Sequence, residues 1–319
     1  MKSDTKRYLF TLAAYLLVCI TAIVISFSRT DIIGITFISA ILILSIVFYF
    51  QVSTRITLNS FVENTFKFEL AKSVIIFLLI FISRFAIYSI TRGVWEKAGM
   101  IILFFMLVSY VDRNKLVDYG LSIKFLGSQL LWSLVTMLSV WGVYALSAIL
   151  IPVFLGLSVE SYTLNTTPFG VSSLIVLVFF LLGNFAEEII FRGYIQTKLK
   201  RFGFFRALII QAALFGLYHL NYIIGYNGSL LDFTGYIFFT FLFGIFMGLL
   251  FETTGSVIVT TITHAFMNFV FARIGLYPVA VLSSEKTFIS PFTYGTTVVI
   301  MIVITGILVK AKNKKWLLR

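Results

Sequence analysis

Residues 169–200 read FGVSSLIVLVFFLLGNFAEEIIFRGYIQTKLK. The first part of this run carries no charge, and Glu187, Glu188 and Arg192 then fall inside the same apolar stretch before Lys198 and Lys200 close it. Roughly 17 to 25 apolar residues cover the hydrocarbon core of a bilayer, and a helix is the unclosed structure that satisfies its own backbone there. The run therefore predicts a membrane-crossing helix with two carboxylates and a guanidinium inside it. Each such charge in hydrocarbon is unfavourable by a few kcal/mol, so each is a functional hypothesis from the outset.

The rest of the chain has the same texture. Apolar runs recur at 9–27, 32–52, 73–90, 98–111, 127–155, 169–190, 207–224, 233–251, 256–271 and 291–309. Hydrophobic residues make up 60% of the 319, charged residues 12%, and the mean hydropathy is +1.02, too little polar surface to cover a soluble globule. The expected fold is an all-α polytopic membrane protein of about ten transmembrane helices with no soluble domain. Run 98–111 is short enough to be re-entrant, and run 127–155 long enough to tilt or bend. By chemistry the chain divides into N-terminal helices at 1–168, helices rich in buried ionisable groups at 169–275, and a last helix with a basic tail at 276–319. Cys19, the one cysteine, excludes an intrachain disulfide or a thiolate metal cluster and reads as lipid-facing or packing filler.

A net charge of +12 raises the question of nucleic acid, but its distribution answers for the membrane. With ten crossings and the N-terminus inside, 19 of the 25 Lys and Arg lie on the cytoplasmic side, five outside, and Arg84 within a helix. Both termini are then cytoplasmic, and the lipid bilayer, not nucleic acid, is the partner of this charge. Arg84 reads as a snorkelling residue or one paired with a neighbouring helix.

Two further constellations join Glu187, Glu188 and Arg192. They are Phe215-Gly-Leu-Tyr-His219 and His264-Ala-Phe-Met-Asn268, which hold the only two histidines. Glu188 with Arg192, and His264 with Asn268, are i and i+4 neighbours on one helix face. At about 1.5 Å per residue, Glu187 lies roughly 16 Å from the Lys198 end, His219 roughly 19 Å from Arg206, and His264 roughly 14 Å from Gly255. The three levels coincide, which predicts one polar pocket, expected to admit water from the cytoplasm. Asn184, Gln211, Tyr218 and Asn221 read as supporting or packing residues, and Gly244 with Gly248 as a close helix contact.

Two chemistries fit. Glu187 as general base, with a histidine positioning water and His264 with Asn268 stabilising an oxyanion, hydrolyses a peptide bond. Alternatively His219, His264 and Glu187 bind Zn²⁺ with a fourth position for water, although the local His-Glu-x-x-His spacing is absent.

The three constellations, in order on consecutive apolar helices, resemble the CAAX protease and bacteriocin-processing family, also called the Abi family. The resemblance spans roughly 169–273, and Asp118-Tyr-Gly-Leu121 is a looser match to a stretch upstream in that family. It implies an eight-helix core and an endopeptidase in which Glu187 and His219 activate water, His264 and Asn268 bind the oxyanion, and Glu188, Arg192 and Phe215 support them. It also implies a glutamate-dependent reaction without a metal cofactor. The substrate is expected to be a membrane-embedded or lipid-associated peptide. Prenylated C-terminal tails serve eukaryotic relatives, and peptide maturation or bacteriocin immunity is linked to bacterial ones, the side to which the short connections lean. A non-proteolytic membrane scaffold or immunity protein of the same family is the alternative. A proton-linked transporter is a third reading, weakened by the absence of an inverted repeat.

Overall fold

The computed structural model describes residues 3–26, 31–55, 65–154, 156, 159–164, 171–269, 278–282 and 289–317. Among these, eight helical segments are long and apolar enough to cross a membrane. They are α1 (Ser3–Ser26), α2 (Asp31–Arg55), α3 (Phe66–Thr91), α5 (Leu126–Phe154), α6 (Val171–Glu188) with its continuation, α8 (Phe204–Tyr218) with a tight turn at His219–Ile223, α9 (Leu230–Thr254) and α11 (Ile289–Leu317). Two shorter apolar helices, α4 (Glu96–Met106) and α10 (Val257–Phe269), complete the ten expected runs. The chain is a helical, multi-pass integral membrane protein, and no soluble domain occurs among the described residues. Two short strands, β1 (Val159–Leu164) and β2 (Pro278–Leu282), form an antiparallel ribbon that periodicity did not suggest. The boundaries expected at 168/169 and 275/276 lie outside the described residues.

Helix α4, the run expected to be re-entrant, is a buried post. Ala98, Met100, Ile101 and Leu103 to Val108 are all buried, and α1, α2, α3 and α6 pack round it. A helix apolar on every face is a core helix, so its shortness reflects enclosure by protein. At Gly99 a Cβ would come within 2.7 Å of Cys19 Sγ and 2.9 Å of Tyr15, so the missing side chain lets α1 close on α4. Cys19 is accordingly interior filler, not lipid-facing.

Helix α6 does not end at Glu188. It widens into a π-helical stretch at Ile189–Gln196 and finishes as α7 (Thr197–Lys200). Wide turns of this kind break the i to i+4 ladder and concentrate where side chains must be re-aimed. Here they turn Arg192 and Gln196 toward α9, where Gly248 O accepts from Gln196 Nε2 at 2.9 Å. The predicted contact is tightest at Gly244, where a Cβ would meet Ala212 Cα at 2.9 Å, whereas one on Gly248 would meet the movable side-chain ends of Leu208, Gln211 and Gln196 at 2.5 to 2.9 Å.

One end of the bundle is tied by charge. Asp112 is ion-paired with Lys72 and with Lys198 at 2.9 Å, and accepts from Tyr194 OH at 2.8 Å. Burial alone would raise its pKa, but the two ammoniums outweigh that and hold the carboxyl below the usual carboxylate range. This end also carries Lys200 and Lys312, which hold Glu252 and its neighbouring carbonyls. The opposite end carries Arg92, bonded to Ile224 O.

Candidate active site

The three sequence constellations meet. On α6 the fully buried Glu188 is the hub: Oε1 accepts from Arg192 Nη1 at 3.0 Å and from His264 Nδ1 at 2.8 Å. The wide turn below Glu188 therefore preserves the predicted Glu188 to Arg192 pair and adds His264 of α10 to it. The Arg192 guanidinium lies 4.3 Å over the Phe215 ring, and its Nη2 donates to Gly244 O at 3.4 Å. One arginine thus links α6, α8 and α9.

His219 sits where α8 tightens. Its Nδ1 is 2.8 Å from Phe215 O. A carbonyl can only accept, so Nδ1 carries the proton, and Nε2 of the neutral ring keeps its lone pair. Phe215, Tyr218, Tyr222 and Tyr236 surround the imidazole with ring centroids 4.8 to 6.1 Å away. His264 is held the same way, with Phe243 at 4.9 Å and Phe215 at 6.0 Å. Asn268, expected to support the imidazole one turn away, instead reaches across to α6, where its Nδ2 donates to Asn184 Oδ1 at 3.2 Å.

Glu187 has a partner that sequence reasoning missed. Lys97, at the head of α4, is ion-paired with Glu187 Oε1 and only 3% exposed. On the ten-crossing arrangement it is one of the five Lys and Arg expected outside. Among the described residues Glu187 Oε2 has no hydrogen-bond partner, and it lies 3.9 Å from His264 Nε2. Behind Lys97 stands a further group. Lys97 donates to Tyr218 OH at 2.9 Å, and Tyr218 OH donates to Glu96 Oε1 at 2.7 Å. Arg84 donates to Glu96 Oε1 at 2.6 Å, Tyr218 OH at 2.7 Å and Asn221 Oδ1 at 2.6 Å. Arg84 is 1% exposed, so pairing, not snorkelling, accounts for it. Adjacent Glu96 and Lys97 at the mouth of a short apolar run were the signal available in the sequence.

Glu187, His219, His264, Asn268, Arg84 and Lys97 all line one cavity of about 1410 Å³. Its walls are aromatic, from Phe179 and Phe180 on α6 to Phe239 and Phe243 on α9 and Tyr294 on α11. It continues to Tyr226, Leu231 and Asp232, beside the 224–229 turn, and no residue of the basic 197–206 turn lines it. Access had been expected from that basic side. The cavity lies in the other half of the bundle because the half around Asp112 is filled by the stacked Tyr119 and Tyr194 rings and by Lys72 and Lys198.

As for Zn²⁺, no three His, Cys, Asp or Glu side chains among the described residues are grouped to hold a metal ion. Of the expected ligands, Glu187 Oε1 faces an ammonium, which would repel a dication.

No curated protein matches the chain. Residues 169–270 match the family model described as type II CAAX prenyl endopeptidase Rce1-like, which contains the α6 carboxylates, both histidines and Asn268. The match covers about a third of the chain, and over that segment the protein is similar to the type II CAAX prenyl endopeptidases, with the three motifs lining one cavity.

Proposed function

We propose that the protein is an intramembrane endopeptidase that hydrolyses a peptide bond in a membrane-associated peptide or protein. Glu187 takes a proton from water through Oε2, and His219 Nε2 orients the same water. His264, carried by Glu188 and Arg192, donates from Nε2 to the oxyanion when protonated, and Asn268 adds an amide donor beside it. The proton accepted by Glu187 then leaves on the new amine. The reaction runs without a metal.

The observation that carries this reading is the position of Glu187: its Oε2 has no hydrogen-bond partner among the described residues and lies 3.9 Å from His264 Nε2, and Glu187 lines a cavity together with His219 and His264. The aromatic walls suit an apolar or lipid-bearing segment, and the cavity's course toward the 224–229 turn brings the substrate in from that end. The basic bias of the other end makes this the non-cytoplasmic side.

The test compares membrane peptides from cells carrying the wild-type protein, Glu187→Ala or His219→Ala, by mass spectrometry. Peptides that accumulate uncut in both variants are expected, and cleavage in purified liposomes is expected to survive chelation by EDTA. Identical peptide sets in all three strains would sink the reading, and loss of cleavage on chelation would sink its metal-free form.

A further inference from the structure

We propose that Lys97 is a positioning residue of this reaction: its ammonium anchors Glu187 Oε1 and so presents Oε2 to the cavity beside His264. The inference rests on the endopeptidase reading of the site. Its starting point is an asymmetry in one carboxylate, in which Oε1 is bound by Lys97 and Oε2 has no hydrogen-bond partner among the described residues. A glutamate on a helix has three rotatable bonds, and a general base that must meet a water within a few tenths of an ångström gains by losing that freedom before substrate arrives.

Lys97 is itself fixed from three helices. Tyr218 OH of α8 accepts from its Nζ at 2.9 Å, and Glu96 Oε1 lies 3.9 Å away. Tyr218 and Glu96 are in turn held by Arg84 of α3. The hydroxyl of Tyr218 uses its whole capacity, one bond donated to Glu96 and two accepted from Lys97 and Arg84, so the ammonium cannot swing without breaking this set. Charges balance within the cluster: Glu187 with Lys97, Glu96 with Arg84, Glu188 with Arg192. An ion pair kept only for stability would not need both of its members, Glu187 and Lys97, on the lining of the cavity that also holds His219 and His264.

The experiment measures cleavage of a quenched-fluorophore peptide carrying the sequence found uncut in Glu187→Ala membranes, with purified protein in liposomes. Lys97→Met is expected to lower kcat by about 100-fold with KM little changed, because a misplaced base harms the chemical step and leaves binding intact. Lys97→Arg, which keeps a cation against Oε1, is expected to recover most of the loss. Should Lys97→Met fail to give a monodisperse protein, Lys97→Gln carries the same expectation. A wild-type kcat in the variant that folds, or a change confined to KM, overturns the proposal. Cleavage by Glu187→Ala would instead overturn the endopeptidase reading, so the two failures are distinguishable.

Discussion

Arg84 and Lys97 show what one residue's surroundings decide. Both are cations near the same end of the bundle, and both are buried against glutamates: Arg84 on Glu96, Lys97 on Glu187. Removing one partner of a buried pair leaves the other charge desolvated and unpaired, which destabilises by about 3 to 5 kcal/mol. Arg84→Met is therefore expected to lower the melting temperature of the detergent-purified protein by many degrees, and Arg84→Met with Glu96→Gln by much less. Equal melting for wild type and the single variant would mean that the pair is not formed. The carboxylates, histidines and Asn268 were legible in the sequence because charged and imidazole groups are rare inside apolar runs, and helical spacing put them at one depth. Lys97 was not. It sits at the edge of a run, where the sequence cannot distinguish a lysine reaching out to water from one folded inward, and only the packing of α4 against α6 and α8 decides.

At the scale of elements, the close approach of α8 and α9 is the contact on which the site's backbone acceptors depend. Gly244 O and Gly248 O receive Arg192, Gln211 and Gln196. Gly244→Ala pushes a methyl against the backbone of α8 at Ala212 Cα and is expected to destabilise by about 1 to 3 kcal/mol. Gly142→Ala, in the middle of α5 with no atom within 4 Å of the new Cβ, is the control and is expected to be neutral or slightly stabilising. Thermal melts of the two variants beside wild type check the pair. The lock at Asp112 adds a dependence on pH. Its carboxyl lies below the value it has in the unfolded chain, so its contribution is fully present at neutral pH and is lost as pH falls through the lowered folded value. Asp112→Asn is thus expected to melt lower than wild type at neutral pH, with the gap closing under strongly acidic conditions. Run lengths and the glycine contact were readable in advance, since both follow from spacing. The burial of α4 and the π-helical stretch after Glu188 were not, because each depends on which helices enclose the segment.

For the whole molecule, sidedness is the property that links charge to function. On the orientation proposed from the excess of lysine and arginine, the 197–206 end lies inside, and the cavity runs to the other end. Helical spacing put Glu187, His219 and His264 at one depth, and the three line one cavity. It carried no information on which half of the bundle above or below that level is filled, and the stacked tyrosines and ion pairs around Asp112 fill the basic half. The chain makes the question simple to ask, because Cys19, its one cysteine, is 5% exposed and shielded from labelling. Tyr226, at the cavity mouth, is 40% exposed, and the Lys200 side chain at the basic end is 46% exposed. In intact cells a membrane-impermeant maleimide is expected to label Tyr226→Cys and to label Lys200→Cys only after permeabilisation. The reverse pattern would put the mouth in the cytoplasm and overturn the proposed route of entry while leaving the chemistry at Glu187 untouched. With the expected pattern, maleimide on Tyr226→Cys should also block cleavage by filling the passage through which the peptide must descend to Glu187.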